Sequence, residues 1–252
     1  STTNQISVSQ AYCDGLELTV DNCNINASWY CCINNDQKTT FTNNVFNGTG
    51  TSQQYALFLQ GSGNTNDVTT LTFTGNTVSG YTRGININQD YCQAEVKDNT
   101  ITSGQGYSAI QVSSAAKVNI EKNTIYNTGD IITIHESFAD RKLSAEIALR
   151  NNTVNAVDGI QGYLIYDDVT AAGKTYGEDS ARIKLIYEDN TLPANTIIAQ
   201  GIKGEAVYEV SPYLLEQLGI RFGYNGEILP AAPAVNGNVI TVNKENAQYT
   251  LD

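Results

Sequence analysis

The chain has 252 residues, a formal net charge of −12 from 14 Lys and Arg against 26 Asp and Glu, and a sequence pI near 4.4. Such a surface excludes nucleic acid as a partner, because binding there relies on Lys and Arg releasing condensed counterions, and it repels an anionic polysaccharide unless calcium, taken up by oxygen ligands, bridges the two. No apolar run approaches the roughly 20 residues that span a bilayer, so direct membrane insertion is not expected, while 28 Asn, 27 Thr and no Met favour strands and tight turns over helices.

The start, Ser1-Thr2-Thr3-Asn4, lacks a basic and then apolar leader, so the sequence reads as a mature form or an excised part. Five cysteines, Cys13, Cys23, Cys31, Cys32 and Cys92, form neither a CxxC pair nor a zinc-like Cys/His spacing. Their odd number leaves at least one thiol free within the chain. A Cys13 to Cys31 disulfide and unpaired core thiols both remain open, the thiols being favoured.

From Leu18 onward one phrase recurs: apolar, any, apolar, two polar, Asn, any, apolar. The sharpest copies run Leu71 to Val78, Ala94 to Ile101 and Val118 to Ile125, with fainter ones ending at Phe46, Val154 and Leu192. The first copy, Leu18 to Ile25, has Cys23 where the others have Asn. The mark falls at 23, 44, 76, 99, 123, 152 and 190, a base period of about 21 to 24 with insertions. Each phrase alternates apolar with polar, and most are followed by a second alternating strand: Tyr30 to Ile33, Ala56 to Leu59, Gly84 to Ile87, Ala109 to Val112, Ile131 to Ile134 and Tyr163 to Tyr166. No helix-length stripe lies between them, which counts against leucine-rich and other helical repeats.

These observations predict an all-β chain, a right-handed single-stranded parallel β-helix of about seven to nine three-strand coils. The recurrent Asn is expected to form a ladder at a turn, its amide donating and accepting between rungs. Insertions between Phe46 and Leu71, Ile125 and Ile147, and Val154 and Leu185 are expected to be loops. After Ile202 the pattern fades. Ser211-Pro212 through Gly219 reads as a short C-terminal capping helix, and Pro230 to Pro233 as a stiff linker. The division expected is 1–201 β-helix, 202–229 end-cap and 230–252 linker with a strand or the start of a following module. The mid-strand pattern at Gln248 to Asp252 suggests a cut from a longer polypeptide, whose other modules would be partners.

With their second strands, the phrases Leu71 to Val78, Ala94 to Ile101 and Val118 to Ile125 resemble the repeat of the pectin-lyase-like superfamily over roughly residues 6–201. The Asn-Thr-apolar phrases and the segment Val239 to Asp252 look most like modules of large secreted or cell-surface proteins of bacteria. The resemblance implies an extracellular or cell-surface place and, for some members, polysaccharide cleavage.

Cleavage by a glycosidase needs an acid and a base flanking the glycosidic oxygen, and a lyase needs calcium-holding carboxylates and a base. Aligning the second strands places Asn34-Asn35, Gln60-Gly61, Asn88-Gln89, Ser113-Ser114, His135-Glu136 and Asp167-Asp168 at one corner. Its last two rungs bring together the only His and three carboxylates. Candidate catalytic residues are therefore His135, Glu136, Asp167, Asp168 and, from the following loop, Arg141. Glu136, Asp167 and Asp168 are the calcium candidates. The alternative makes all of these solvated strand ends. Tyr side chains or Trp29 could stack on sugar rings. The leading functional expectation is a β-helix module without catalysis, a stalk or a surface contacting polysaccharide or host glycans. The second is a pectate-lyase-like lyase or glycoside hydrolase at the corner of His135 and Asp167, and the third a bare spacer.

Overall fold

The computed structural model describes residues 5–9, 16–32, 38–50, 55–61, 68–105, 108–113, 116–128, 131–135, 146–156, 163–167, 184–192, 197–200, 206–210, 221–224, 227–228, 235–236, 239–242 and 247–250. Strands make up three sheets of eleven, ten and six members, named A, B and C in that order. A coil passes through B, then C, then A, as in Thr70–Thr74, Thr77–Tyr81 and Arg83–Gln89. The following coil repeats it as Gln93–Lys97, Thr100–Gln105 and Ile110–Ser113. Successive coils pair in parallel with matched register, Phe41 on Phe73 and Phe73 on Val96 in sheet B, Phe46 on Val78 and Val78 on Ile101 in sheet C. This is the parallel β-helix that the repeat predicted.

The apolar positions of the phrase point inward and stack. Phe41, Phe73, Val96 and Ile120 are fully buried in sheet B, Phe46, Val78 and Ile101 in sheet C, and Leu57, Ile85 and Ile110 are at most 1% exposed in sheet A. The first coils carry aromatic rungs, with Trp29 edge-on to Phe41 at 5.2 Å and Phe46 5.6 Å from Phe73. Later coils use Val, Ile and Leu. Their stiff β-branched side chains suit a column in which each rung packs on its neighbour.

The Asn of the phrase builds the predicted ladder. Asn76 Oδ1 accepts from the backbone N–H and the Nδ2 of Asn44, at 2.9 and 3.1 Å. The pattern repeats from Asn76 to Asn99, Asn99 to Asn123, Asn123 to Asn152 and Asn152 to Asn190. Each Nδ2 also donates to a backbone carbonyl of the preceding coil, as Asn99 does to Phe73 at 2.8 Å. Immediately before each rung the backbone turns left-handed: Asn22, Asn43, Gly75, Asp98, Lys122, Asn151 and Asp189 have φ between 51° and 68°. One such residue per coil redirects the chain from sheet B into sheet C.

Three expectations need correction or placement. The stack is shorter than seven to nine coils, at about four turns. Sheet C has only six strands, and removing its two edge strands leaves four coils flanked on both sides in all three sheets. Past Ala206–Val210, the last parallel strand of sheet B, the partners become antiparallel: Val239–Val242 on sheet B, and Ala247–Thr250 on sheet A. The phrase overcounted because it marks the sheet B strand and its Asn turn even at the ends of the stack, where sheet C contributes only an edge strand or, at Thr191, a single bridge. The capping helix at 211–219 lies outside the described residues. So do the inserted stretches 62–67, 136–145 and 168–183, each of which joins a strand of sheet A to the next of sheet B.

Candidate functional site

The corner selected from the sequence falls at the ends of sheet A strands. His135 ends the strand Ile132–His135 and lies in register with Ser113. Asp167 ends the strand Tyr163–Asp167 but faces Ile134, not His135. The sequence alignment is thus one residue out at its last rung. The apolar run Tyr163-Leu164-Ile165-Tyr166 has no alternation to fix its register, and a shift of one residue exchanges the two faces of a strand. Asp167 takes the register position of the column that Leu59, Ile87 and Val112 fill with core side chains. Glu136, Arg141 and Asp168 lie outside the described residues, and among the described residues no group of three or more His, Cys, Asp and Glu is gathered to hold a metal.

The outward side of sheet A is ordered in the middle coils. Phe58, Asn86 and Gln111 form one column and Gln60 and Asn88 the next. Asn86 Nδ2 donates to Gln111 Oε1 at 2.8 Å, and these two residues are only 2% and 7% exposed although their neighbours Ile85, Ile87 and Ile110 fill the core side. Among the described residues Asn86 Oδ1, Asn88 Oδ1 and Gln89 Oε1 are buried acceptors without a hydrogen-bond donor. A buried acceptor left unpaired costs about 1–3 kcal/mol. At the start of the same strands the Tyr55 and Phe58 rings stack at 5.0 Å, and the Arg83 guanidinium lies over the Tyr55 ring and donates to its hydroxyl. Trp29, 9% exposed and packed on Phe41, belongs to the core and offers no sugar platform.

The outward side of sheet B has a different chemistry. Asn119 donates to Glu95 at 2.9 Å and accepts from Arg150 at 3.1 Å, and Arg150 pairs with Glu188 at 2.9 Å. Around them lies a shallow depression of about 350 Å³ lined by Glu95, Lys117, Asn119, Glu146, Ala148 and Arg150. Lys97 sits 2.7 Å from Glu95 and 3.4 Å from Glu121. The hydrogen bond to Glu95 raises its pKa, and the bond from Lys122 lowers that of Glu121. These exposed pairs contribute little to stability. The sequence phrase marks their positions only as polar alternates, because alternation reports which side is out and nothing about which outward neighbours meet.

Cys23 and Cys92 are free thiols, the first exposed and the second buried. Cys13 lies outside the described residues, and Cys31 and Cys32 are placed only by backbone register, Cys32 opposite Gln60. No helix among the described residues is long and apolar enough to cross a membrane.

No curated protein and no solved structure matches the chain. The right-handed beta helix region family matches residues 11–250. That span takes in the stack from the strand Glu17–Asp21 onward together with the antiparallel strands at its end, and leaves out the first strand of sheet A, Gln5–Ser9. With the ladder and the three-sheet coil in place, the chain belongs to the right-handed β-helix family.

Proposed function

We propose that this chain is a rigid β-helix module of a secreted or surface-attached bacterial protein, serving as a stalk whose sheet A side contacts polysaccharide or host glycans. The observation that carries the glycan contact is the half-buried amide of Asn88, in register with Gln60 on the outward side of the strand Arg83–Gln89. Sugar hydroxyls supply donors in closely spaced rows, and an amide oxygen accepts two of them. The stalk reading is supported by the continuous ladder, which commits each central Asn amide to fixed partners and leaves it none for chemistry. The bacterial surface setting rests on the Asn-Thr phrases. In this reading the antiparallel strands Val239–Val242 and Ala247–Thr250 close the end of the stack.

The test is retention of the full chain on a panel of acidic and neutral polysaccharides, with and without calcium. We expect retention without turnover, and a loss of about tenfold, equivalent to about 1.4 kcal/mol, in Asn88→Leu. New reducing ends, or ultraviolet absorbance from a new double bond, would instead make the module a hydrolase or lyase. If Asn88→Leu were retained like the parent, the sheet A contact would be lost as an explanation.

A further inference from the structure

The outer face of sheet C differs from the other two. One outward column runs in register through Val45, Thr77, Thr100, Thr124, Thr153 and Thr191. The second runs through Asn47, Ser79, Thr102, Tyr126 and Asn155, except that the pairing slips between Ser79 and Thr102. Every one of these side chains is exposed or half-buried. None is charged. The outward positions of sheet B in the same coils hold Glu95, Lys97, Lys117, Glu121, Glu146 and Arg150. Two of the four large apolar side chains exposed among the described residues, Val45 at 41% and Tyr126 at 42%, also lie on this face.

Hydroxyls and amides, exposed apolar groups and no charge are what the centre of an interface holds, and charged residues are depleted there. Removing hydroxyls from water against other hydroxyls costs far less than removing charges. Each Thr both donates and accepts, and the rungs repeat at about 4.8 Å along the stack. A partner that is itself periodic on the scale of one sugar ring can therefore meet each coil in the same way. Charge selects the kind of partner. A second copy would bring another surplus of acidic residues against a chain already at −12, whereas an uncharged polymer meets no such repulsion.

We propose that the outer face of sheet C is a docking surface for an extended, uncharged polysaccharide lying along the stack axis. The Thr column bonds successive sugar hydroxyls, and Tyr126 packs its ring against a sugar face. This surface is separate from the sheet A side, and neither reading depends on the other.

The experiment is co-sedimentation of the full chain with amorphous cellulose and with chitin, alongside Thr100→Lys, Tyr126→Lys and, as a control on sheet B, Thr72→Lys. The expected result is retention of the parent on at least one polymer and a fall of about tenfold in Thr100→Lys and in Tyr126→Lys. Thr72→Lys should be retained like the parent. Melting curves establish that the sheet C variants are folded, and Tyr126→Lys decides the matter if Thr100→Lys melts early. The proposal is overturned if neither polymer retains the parent, or if the folded sheet C variants are retained equally. It is also overturned if sedimentation velocity shows dimers that Thr100→Lys abolishes, since the occupant is then a second copy.

Discussion

The ladder makes single residues unequal according to their rung. Asn99 Oδ1 accepts two bonds from Asn76, while its Nδ2 serves Phe73 O and Asn123 Oδ1. Asn99→Leu strands an N–H, an amide and a carbonyl in a buried site, at about 1–3 kcal/mol for each group left unpaired. A drop of at least several degrees in melting temperature is expected, and a melt matching the parent would argue against the ladder as a stabilising device. Cys23 behaves differently. Its backbone N–H donates to Asn44 Oδ1, and its thiol turns to Asp21 O. No described rung precedes it to require an acceptor, so Cys23→Asn should shift stability by no more than about 0.5 kcal/mol. Cys92 reports on the core by titration. Burial pushes its thiol from 9.0 up to about 12, so above about pH 9 the unfolded chain releases a proton that the folded chain keeps. Stability is then untouched below that pH and lost as pH climbs toward 12. Cys92→Ala should flatten this decline without removing it, since burial also raises Tyr81 to about 12. At neutral pH a thiol reagent should label Cys23 rapidly and Cys92 only on unfolding.

At the scale of the element, the bend between sheets B and C was only half legible in the sequence. The Asn at each mark could be read because its chemistry recurs. The left-handed residue before it could not, because Asn, Asp, Gly and Lys share the position and no single type marks it in every coil. Asn and Asp tolerate that conformation, but Lys122 at φ 55° does so at a cost. Lys122→Asn should therefore be neutral or stabilising, and Lys122→Val, whose branched side chain suits that region least, should destabilise by about 1–2 kcal/mol, as read by urea unfolding. The turn from sheet C toward sheet A obeys another constraint. A Cβ on Gly48 would lie 2.2 Å from the Gly80 carbonyl oxygen and 2.7 Å from the Tyr81 ring. Tyr81 is itself tied to Ala27 O at 2.8 Å. Gly48→Ala forces backbone against backbone and should cost about 1–3 kcal/mol or more. Such close approach leaves no pattern in a single sequence. The register of Tyr163–Asp167 was hidden for a related reason: an unbroken apolar run gives strand identity without saying which side faces the core.

Whole-molecule stability in a solenoid follows from neighbours, since each coil touches only the coils before and after it. The phrase count suggested a longer uniform stack, but uniform spacing in sequence does not give uniform support. Among the described residues only the four central coils have partners on both sides in every sheet. Sheet C has no strand among the described residues beyond Thr153–Ala156, and the continuation is a single bridge between Thr153 and Thr191. At the opposite end Leu18 and Val20 are only partly buried against the core, where Phe41 and Phe73 one and two rungs later are fully covered. Opening an end coil breaks one interface, whereas opening a central coil breaks two. Amide exchange should therefore be slowest in the strands Lys38–Thr42, Thr70–Thr74, Gln93–Lys97 and Lys117–Glu121 and their companions in sheets C and A. It should quicken toward Glu17–Asp21 on one side and toward Lys184–Glu188 and Ala206–Val210 on the other. Asn99→Leu, placed in the centre, should accelerate exchange in the coils on both sides of it, because Asn76 and Asn123 each lose a partner. Exchange that is equally slow from Glu17 to Val210, or a response to Asn99→Leu confined to its own coil, would show that the antiparallel strands at the end support the stack as fully as further coils would.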